Sequence, residues 1–167
     1  MPEETALNFT EISRQIEEGR KKGDYRPVVV AVMRNEFGEI LVVQSVHNHN
    51  EWMFPQGGVE SEEHFLESIF REVKEEIGIE KSRLMLVDYL GSRKIDAPED
   101  RKNKREFTKG KDYHFFQLGV VGREVCLNSK ELSGYSWTST EEEVTWLLSK
   151  TRGEKREMML RFISHMW

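Results

Sequence analysis

Apolar residues return along this chain first at helical spacing, then in β-branched runs, then at helical spacing again. Leu7, Ile12 and Ile16 make a thin stripe in a polar segment, which predicts an amphipathic helix over residues 5–20, ended by Gly23-Asp24. Pro27 to Met33 is β-branched and predicts a strand. Asn35 to Gly38 reads as a turn, and Ile40 to Gln44 completes a hairpin. Trp52-Met53-Phe54 is a short strand stopped by Pro55, and Gln56-Gly57-Gly58 a tight loop. Leu66, Ile69, Val73 and Ile77 then recur at helical spacing. They predict a helix from Glu62 to Ile77, with Ser61 as N-cap, Glu62 and Glu63 at the positive end of its dipole, and Gly78 as C-cap. Leu84–Leu90, Asp112–Val121 and Tyr135–Thr138 read as strands, and 92–111 as a long polar loop. Thr140 to Leu148 and Glu154 to Met166 are the last predicted helices. Strands and helices mixed in this order make the class α+β, or an α/β/α sandwich.

The chain has 167 residues, enough for one ordinary domain. Residues 1–24 are expected to be a helical extension that packs on the domain or contacts a protein partner or a second copy, and 25–167 the domain itself. Charged residues are 33% and hydrophobic ones 37%, with enough aromatic and β-branched residues for a core. The net charge of −5 argues against a protein that coats nucleic acid generally. Cys126 is the one cysteine, so no internal disulfide forms; its apolar neighbours predict a buried, inert thiol. The start lacks a signal peptide's pattern, and no apolar run approaches the ~18 residues of a membrane span. The expected setting is soluble and cytoplasmic, without a membrane partner.

One helix carries unusual charge. Glu72, Glu75 and Glu76 lie at i, i+3 and i+4, on one side, where like charges repel by a few tenths of a kcal/mol per pair. Alone, three glutamates read as a solvated face. Converging, they suit a hard divalent cation such as Mg²⁺ or Mn²⁺, which prefers oxygen ligands. The flanks favour the second reading. Gly57-Gly58 can bring backbone close to a ligand and offer a carbonyl to a metal, Glu63 stands at the start of the helix, and Arg71 can hold a carboxylate by a forked hydrogen bond.

The run Gly57-x5-Glu63-x7-Arg71-Glu72-Val73-x-Glu75-Glu76-x-Gly78-Ile79 matches the Nudix signature at every fixed position, and the chain resembles Nudix hydrolases from about Tyr25 onward. The resemblance implies an α/β/α sandwich with a mixed sheet and a metal-dependent hydrolysis of nucleoside-linked pyrophosphates. It implies Mg²⁺, or Mn²⁺, held by Glu72, Glu75, Glu76 and the carbonyl of Gly57. It gives Arg71 the task of orienting glutamates, through Glu63 and Glu72.

Tyr25-Arg26-Pro27 and Trp52-x-Phe54-Pro55-Gln56-Gly57-Gly58 resemble the bacterial RNA 5′-pyrophosphohydrolase and dinucleoside polyphosphate hydrolase group. So do Tyr113-His114-Phe115-Phe116-Gln117-Leu118 and the segment Glu131 to Trp137. Glu131 is thereby the expected distal catalytic and metal-binding carboxylate, against a surface glutamate. Arg26, Gln56, Gly58 and Tyr113 are candidates for holding substrate; Tyr113 either stacks on a base or packs in its strand. From Arg93 to Lys111 there are eight basic residues against four acidic ones, on a chain that is otherwise acidic. Arg101, Lys102, Lys104 and Arg105 in this lobe suit a polyphosphate or an RNA 5′ end, or else are a solvated loop. Two departures leave the substrate open. Ser45 to Glu51 holds no lysine or arginine, and Ile95-Asp96-Ala97 lacks the tyrosine of some dinucleoside polyphosphate hydrolases. His47 and His49 read as polar surface. ADP-ribose or nucleotide-sugar cleavage is an alternative activity, disfavoured by Pro55-Gln56-Gly57-Gly58. A catalytically silent nucleotide sensor is another, disfavoured because all the box glutamates are present.

Overall fold

The computed structural model describes residues 2–47, 51–98, 109–164 and 166–167, with residues 2–8 represented by their helical backbone. The element order is α1 (Pro2–Lys22), β1 (Tyr25–Asn35), β2 (Ile40–Ser45), β3 (Trp52–Met53), β4 (Gln56–Gly58), α2 (Phe65–Ile77), β5 (Leu84–Asp96), β6 (Gly110–Val120), β7 (Leu132–Thr138), α3 (Glu141–Leu148) and α4 (Gly153–Ile163). These strands form one sheet in the order β3-β2-β1-β6-β5, with β4 added to β1 and β7 to β2. β1 and β6 run parallel along their whole length, and the other pairs are antiparallel. The sheet is therefore mixed.

β1 is buried on both faces because helices cover both, and its β-branched run suits that position. Val29, Ala31 and Met33 face one way, with Phe116 and Leu118, against Ile12 and Ile16 of α1 and Phe65, Ile69, Val73 and Ile77 of α2. Val28, Val30 and Val32 face the other way, with Phe115, against α3 and α4 through Val144, Leu148, Met158 and Ile163. The result is an α/β/α sandwich with two apolar layers. No helix among the described residues is long and apolar enough to cross a membrane.

Several expectations change. β5 runs on to Asp96, so Arg93 and Lys94 belong to a strand, and Gly110 and Lys111 open β6. Backbone pairing with β6 outweighs the weak strand propensity of Gly91 to Lys94. Cys126 is exposed. Val125 and Leu127 pack toward the core, so the residue between them faces out. The last helix ends at Ile163. Ile12 and Ile16 are almost fully buried, which makes α1 part of the core layer. Leu7, the third residue of its predicted stripe, has a side chain outside the described residues.

Ile16→Ala should therefore destabilise the fold by about 2–4 kcal/mol in chemical denaturation. A loss below about 0.5 kcal/mol would instead mark α1 as a loosely attached arm.

Candidate active site

The helix carrying the three glutamates starts later than its apolar period suggests. Glu62 has a left-handed φ of 64°, which breaks any helix begun at Ser61. The Glu63 N–H donates to the Glu60 carbonyl at 3.1 Å, and His64 is the N-cap, its Nδ1 accepting from the Leu66 N–H at 3.1 Å. A continuous helix would separate Glu63 and Arg71 by roughly 12 Å along its axis. The turn closes that gap. Arg71 Nε donates to Glu63 Oε2 at 2.7 Å and Nη2 to Oε1 at 3.0 Å, a two-pronged contact. Nη1 donates to Glu72 Oε1 at 2.6 Å and Nη2 to the Gly58 carbonyl at 3.0 Å. One guanidinium thus ties the turn, the helix and β4 together. Glu63 Oε1 also accepts from Ser68 Oγ at 2.5 Å and from the Glu60 N–H at 3.1 Å. The Arg71 fork holds the Glu63 carboxyl down at about 2, below its ordinary 4.5.

β4 consists of Gln56-Gly57-Gly58, paired to Val30, Val29 and Val28. Both glycines are required by close approach. A Cβ on Gly57 would sit on the Glu72 carboxylate, and a Cβ on Gly58 on the Arg26 guanidinium. Successive Cβ directions leave opposite faces of a strand. Glu72 and Arg26 therefore lie against opposite faces of β4. Glu76 Oε2 accepts from the Gln56 N–H at 3.3 Å. Beyond the helix, the Cys126 N–H donates to the Ile77 carbonyl at 3.0 Å and the Asn128 N–H to the Glu76 carbonyl at 2.8 Å. These bonds tie the Glu131 segment to the end of α2. The Val46 N–H donates to the Glu131 carbonyl at 2.9 Å, and His47 Nε2 lies 3.7 Å from Glu131 Oε2. The His47–Glu131 contact links residues far apart in sequence, and no local pattern announces it.

Arg71 compensates only part of the charge gathered here. Burial pushes the Glu76 carboxyl up to about 8, with Glu72, Glu131 and Glu75 adding to the rise. Burial also raises Glu72, against the opposing pull of Arg71. Glu75 is exposed, 3.4 Å from Arg71 Nη1. Among the described residues no three acidic, histidine or cysteine side chains already ring one point. The donor set nevertheless fits a hard divalent cation. It is all carboxylate oxygen, it carries mutual repulsion that a cation would relieve, and the bare Gly57 lets the Glu72 carboxylate lie against backbone.

The expected substrate residues fare unevenly. Arg26 is exposed and sits at β4. The Gln56 side chain donates to the Phe54 carbonyl at 3.2 Å, so its backbone rather than its amide meets the site. Tyr113 is corrected: it is 2% exposed within the second core layer, where no ring face is open to a base. Burial likewise pushes its hydroxyl up to about 12. Strand alternation sends Tyr113 inward with Phe115. Arg101, Lys102, Lys104 and Arg105, with His49, lie outside the described residues.

Comparisons with known proteins agree with this geometry. A NUDIX domain model matches residues 24–162. An RNA pyrophosphohydrolase of Marinomonas sp. is 32% identical over 69% of this chain and 76% of its own. One from Haemophilus influenzae is 31% identical over 84% of this chain and 75% of its own. A MutT protein of Methanosarcina mazei Go1 superposes with a TM-score of 0.61 at 26% identity, over 84% of this chain and 94% of its own. The C. elegans Ap4A hydrolase, at 20% identity, gives a TM-score of 0.63 over 83% and 95% and shares the fold. The chain belongs to the Nudix family. It is a hydrolase acting on pyrophosphate bonds.

Two pH predictions follow from the carboxylates. Glu63 is lowered in the fold, so its contribution is present above pH 4.5 and is lost as pH falls through about 2. Glu63→Gln should cost about 2 kcal/mol near neutral pH, with the difference from the parent shrinking in acid melts. Glu76 is raised, so its penalty is absent below pH 4.5 and grows as pH rises toward about 8. In chelator, Glu76→Gln should melt a few degrees higher than the parent at pH 8 and equal to it at pH 4. A lower melting point at pH 8 would show that the buried carboxylate is not a burden.

Proposed function

We propose that the protein is a Mg²⁺-dependent pyrophosphohydrolase that opens RNA 5′-triphosphate ends or dinucleoside polyphosphates by attack of water at phosphorus. The observation that carries the reading is the pair of opposite charges across β4. Glu72 and Glu76 lie against Gly57 and Gln56, while the Arg26 guanidinium lies over Gly58. Among the described residues β4 pairs with β1 alone. A chain of phosphates along its other edge would meet cation-binding carboxylates on one side and a guanidinium on the other.

In this reading Glu72, Glu75, Glu76 and Glu131, with the Gly57 carbonyl, hold the cation. When bound, Mg²⁺ supplies charge neutralisation for the pyrophosphate and acidifies a water. Arg71 keeps Glu72 turned toward Gly57 and prevents the carboxylates from splaying apart. Arg26 draws the substrate phosphates into line by a forked contact. Glu131, exposed and beside Glu76, takes the proton of the attacking water. Arg101, Lys102, Lys104 and Arg105 meet the phosphates further along an RNA. The RNA end is supported by two relatives that carry the name RNA pyrophosphohydrolase, at 31–32% identity.

The deciding experiment is a turnover panel in Mg²⁺ with triphosphorylated RNA, diadenosine polyphosphates, ADP-ribose, nucleotide sugars and free triphosphates. RNA ends or dinucleoside polyphosphates should lead, and preference for ADP-ribose or a nucleotide sugar would overturn the reading. Glu76→Gln should lower turnover at least ~100-fold with the fold intact. Neutralising Arg101, Lys102, Lys104 and Arg105 should raise KM for RNA more than for a free nucleotide, with weaker salt dependence. Equal effects would remove those four residues from the RNA contact.

A further inference from the structure

A second cleft lies between α1 and the paired ends of β5 and β6, with a volume of about 530 Å³. That is within the range of small-ligand pockets. Its α1 wall is Gln15, Gly19 and Lys22, all before the first residue of the Nudix match. The cleft is thus made by an element outside that match. It is also turned away from the Nudix helix. On α1, Ile12 and Ile16 point into the core. Arg20 Nη1 reaches Ser61 Oγ, at 3.5 Å, from one flank of that stripe. Helical geometry puts Gln15, Gly19 and Lys22 on the other flank.

The floor is a chain of polar side chains in an otherwise apolar layer. His114 is 3% exposed and uses both ring nitrogens. Its Nε2 is 3.1 Å from Asp112 Oδ2, and its Nδ1 is 3.0 Å from the Tyr89 hydroxyl. The ring thus joins Asp112 to Tyr89 in one hydrogen-bonded chain. Asp112 itself lines the cleft and brings a carboxylate to its wall. Lys94 stands in register beside Asp112, its Nζ 5.1 Å from the centre of the Tyr25 ring. At the rim, Lys22 and Lys109 both face Asp24, at 3.6 and 3.5 Å, the one counter-ion they share among the described residues.

Gly19 is the second observation. It lies inside α1, where glycine costs about 1 kcal/mol relative to alanine. No packing requires it: a Cβ there would meet nothing within 4 Å. Its effect is to leave helix backbone bare along the cleft, as where a ligand approaches closely.

We propose that this cleft is a second binding site, distinct from the Glu72–Glu76 centre, for a nucleoside 5′-monophosphate unit. The base puts its N–H donors on Asp112, the sugar passes Gly19, and the phosphate lies between Lys22, Lys94 and Lys109. The cleft combines an acceptor at its floor with ammonium groups at its rim, which is the complement of such a molecule. Inorganic phosphate matches only the rim. The proposal does not depend on the catalytic reading.

The test is calorimetric titration of AMP, GMP and inorganic phosphate into the full-length chain in chelator. One nucleotide should saturate one site per chain, at least tenfold tighter than phosphate. Gly19→Leu fills the cleft from the helix and removes an unfavourable helical glycine, so its melting point should not fall. It should weaken the nucleotide at least tenfold, as should Lys22→Glu combined with Lys109→Glu, a pair of surface changes. Glu76→Gln should leave the binding unchanged. Three results would each overturn the proposal: no saturation by either nucleotide at millimolar concentration, full binding by a folded Gly19→Leu variant, or phosphate binding as tightly as nucleotide. Loss of binding in Arg26→Ala with retention in Gly19→Leu would assign the nucleotide to the catalytic centre, and the cleft would be no site.

Discussion

The structure turns on a carboxylate laid flat against a glycine. Glu72 rests where a side chain of Gly57 would be, and Arg71 keeps it there by holding Glu63, Glu72 and the Gly58 carbonyl together. Without the guanidinium, Glu72 would be a half-buried anion among other anions, and its desolvation would be unrelieved. Without the glycine there would be no room for it. The turn before α2, the tight β4 and the start of the helix are all arranged around that contact.

Arg71 does not neutralise everything it gathers. It compensates Glu63 and part of Glu72, while Glu76 is half-buried and, among the described residues, accepts from the Gln56 N–H. That division separates a carboxylate the guanidinium compensates from one the fold leaves largely uncompensated. The one held well below its ordinary range fastens the turn. The one driven well above it carries a desolvation cost that no neighbouring charge among the described residues offsets. Such groups cluster at functional sites.

The sequence revealed the acidic helix, the glycines and Arg71 because their spacing is local. The buried face of α2 and the double-sided burial of β1 were legible for the same reason, in the period of Ile69, Val73 and Ile77 and in the run Val28 to Met33. What escaped is set by contacts distant in sequence. Glu62 takes a left-handed conformation that a helix-forming period hides. Ser92 to Lys94 look like a loop but are carried as strand by β6. Tyr113 looks available and is buried because its alternation partner Phe115 is. The meeting of His47 with Glu131, and the polar chain from Tyr89 through His114 to Asp112, exist only once β2 meets β7 and β5 meets β6.

The parallel pairing of β1 with β6 bears on how the molecule comes to exist. Tyr25 pairs with Gly110 and Asn35 with Val120, so the central strand waits for a neighbour encoded about half a chain length away. Closing that ladder requires a large loss of chain entropy before its contacts are rewarded, which makes folding slow. On a growing chain, α2 and its glutamates leave the ribosome long before β6 does. Phe65, which stacks on Phe116, is then an apolar ring without its partner. The acidic face would keep that half-made intermediate charged, and charge opposes aggregation while the sheet is incomplete.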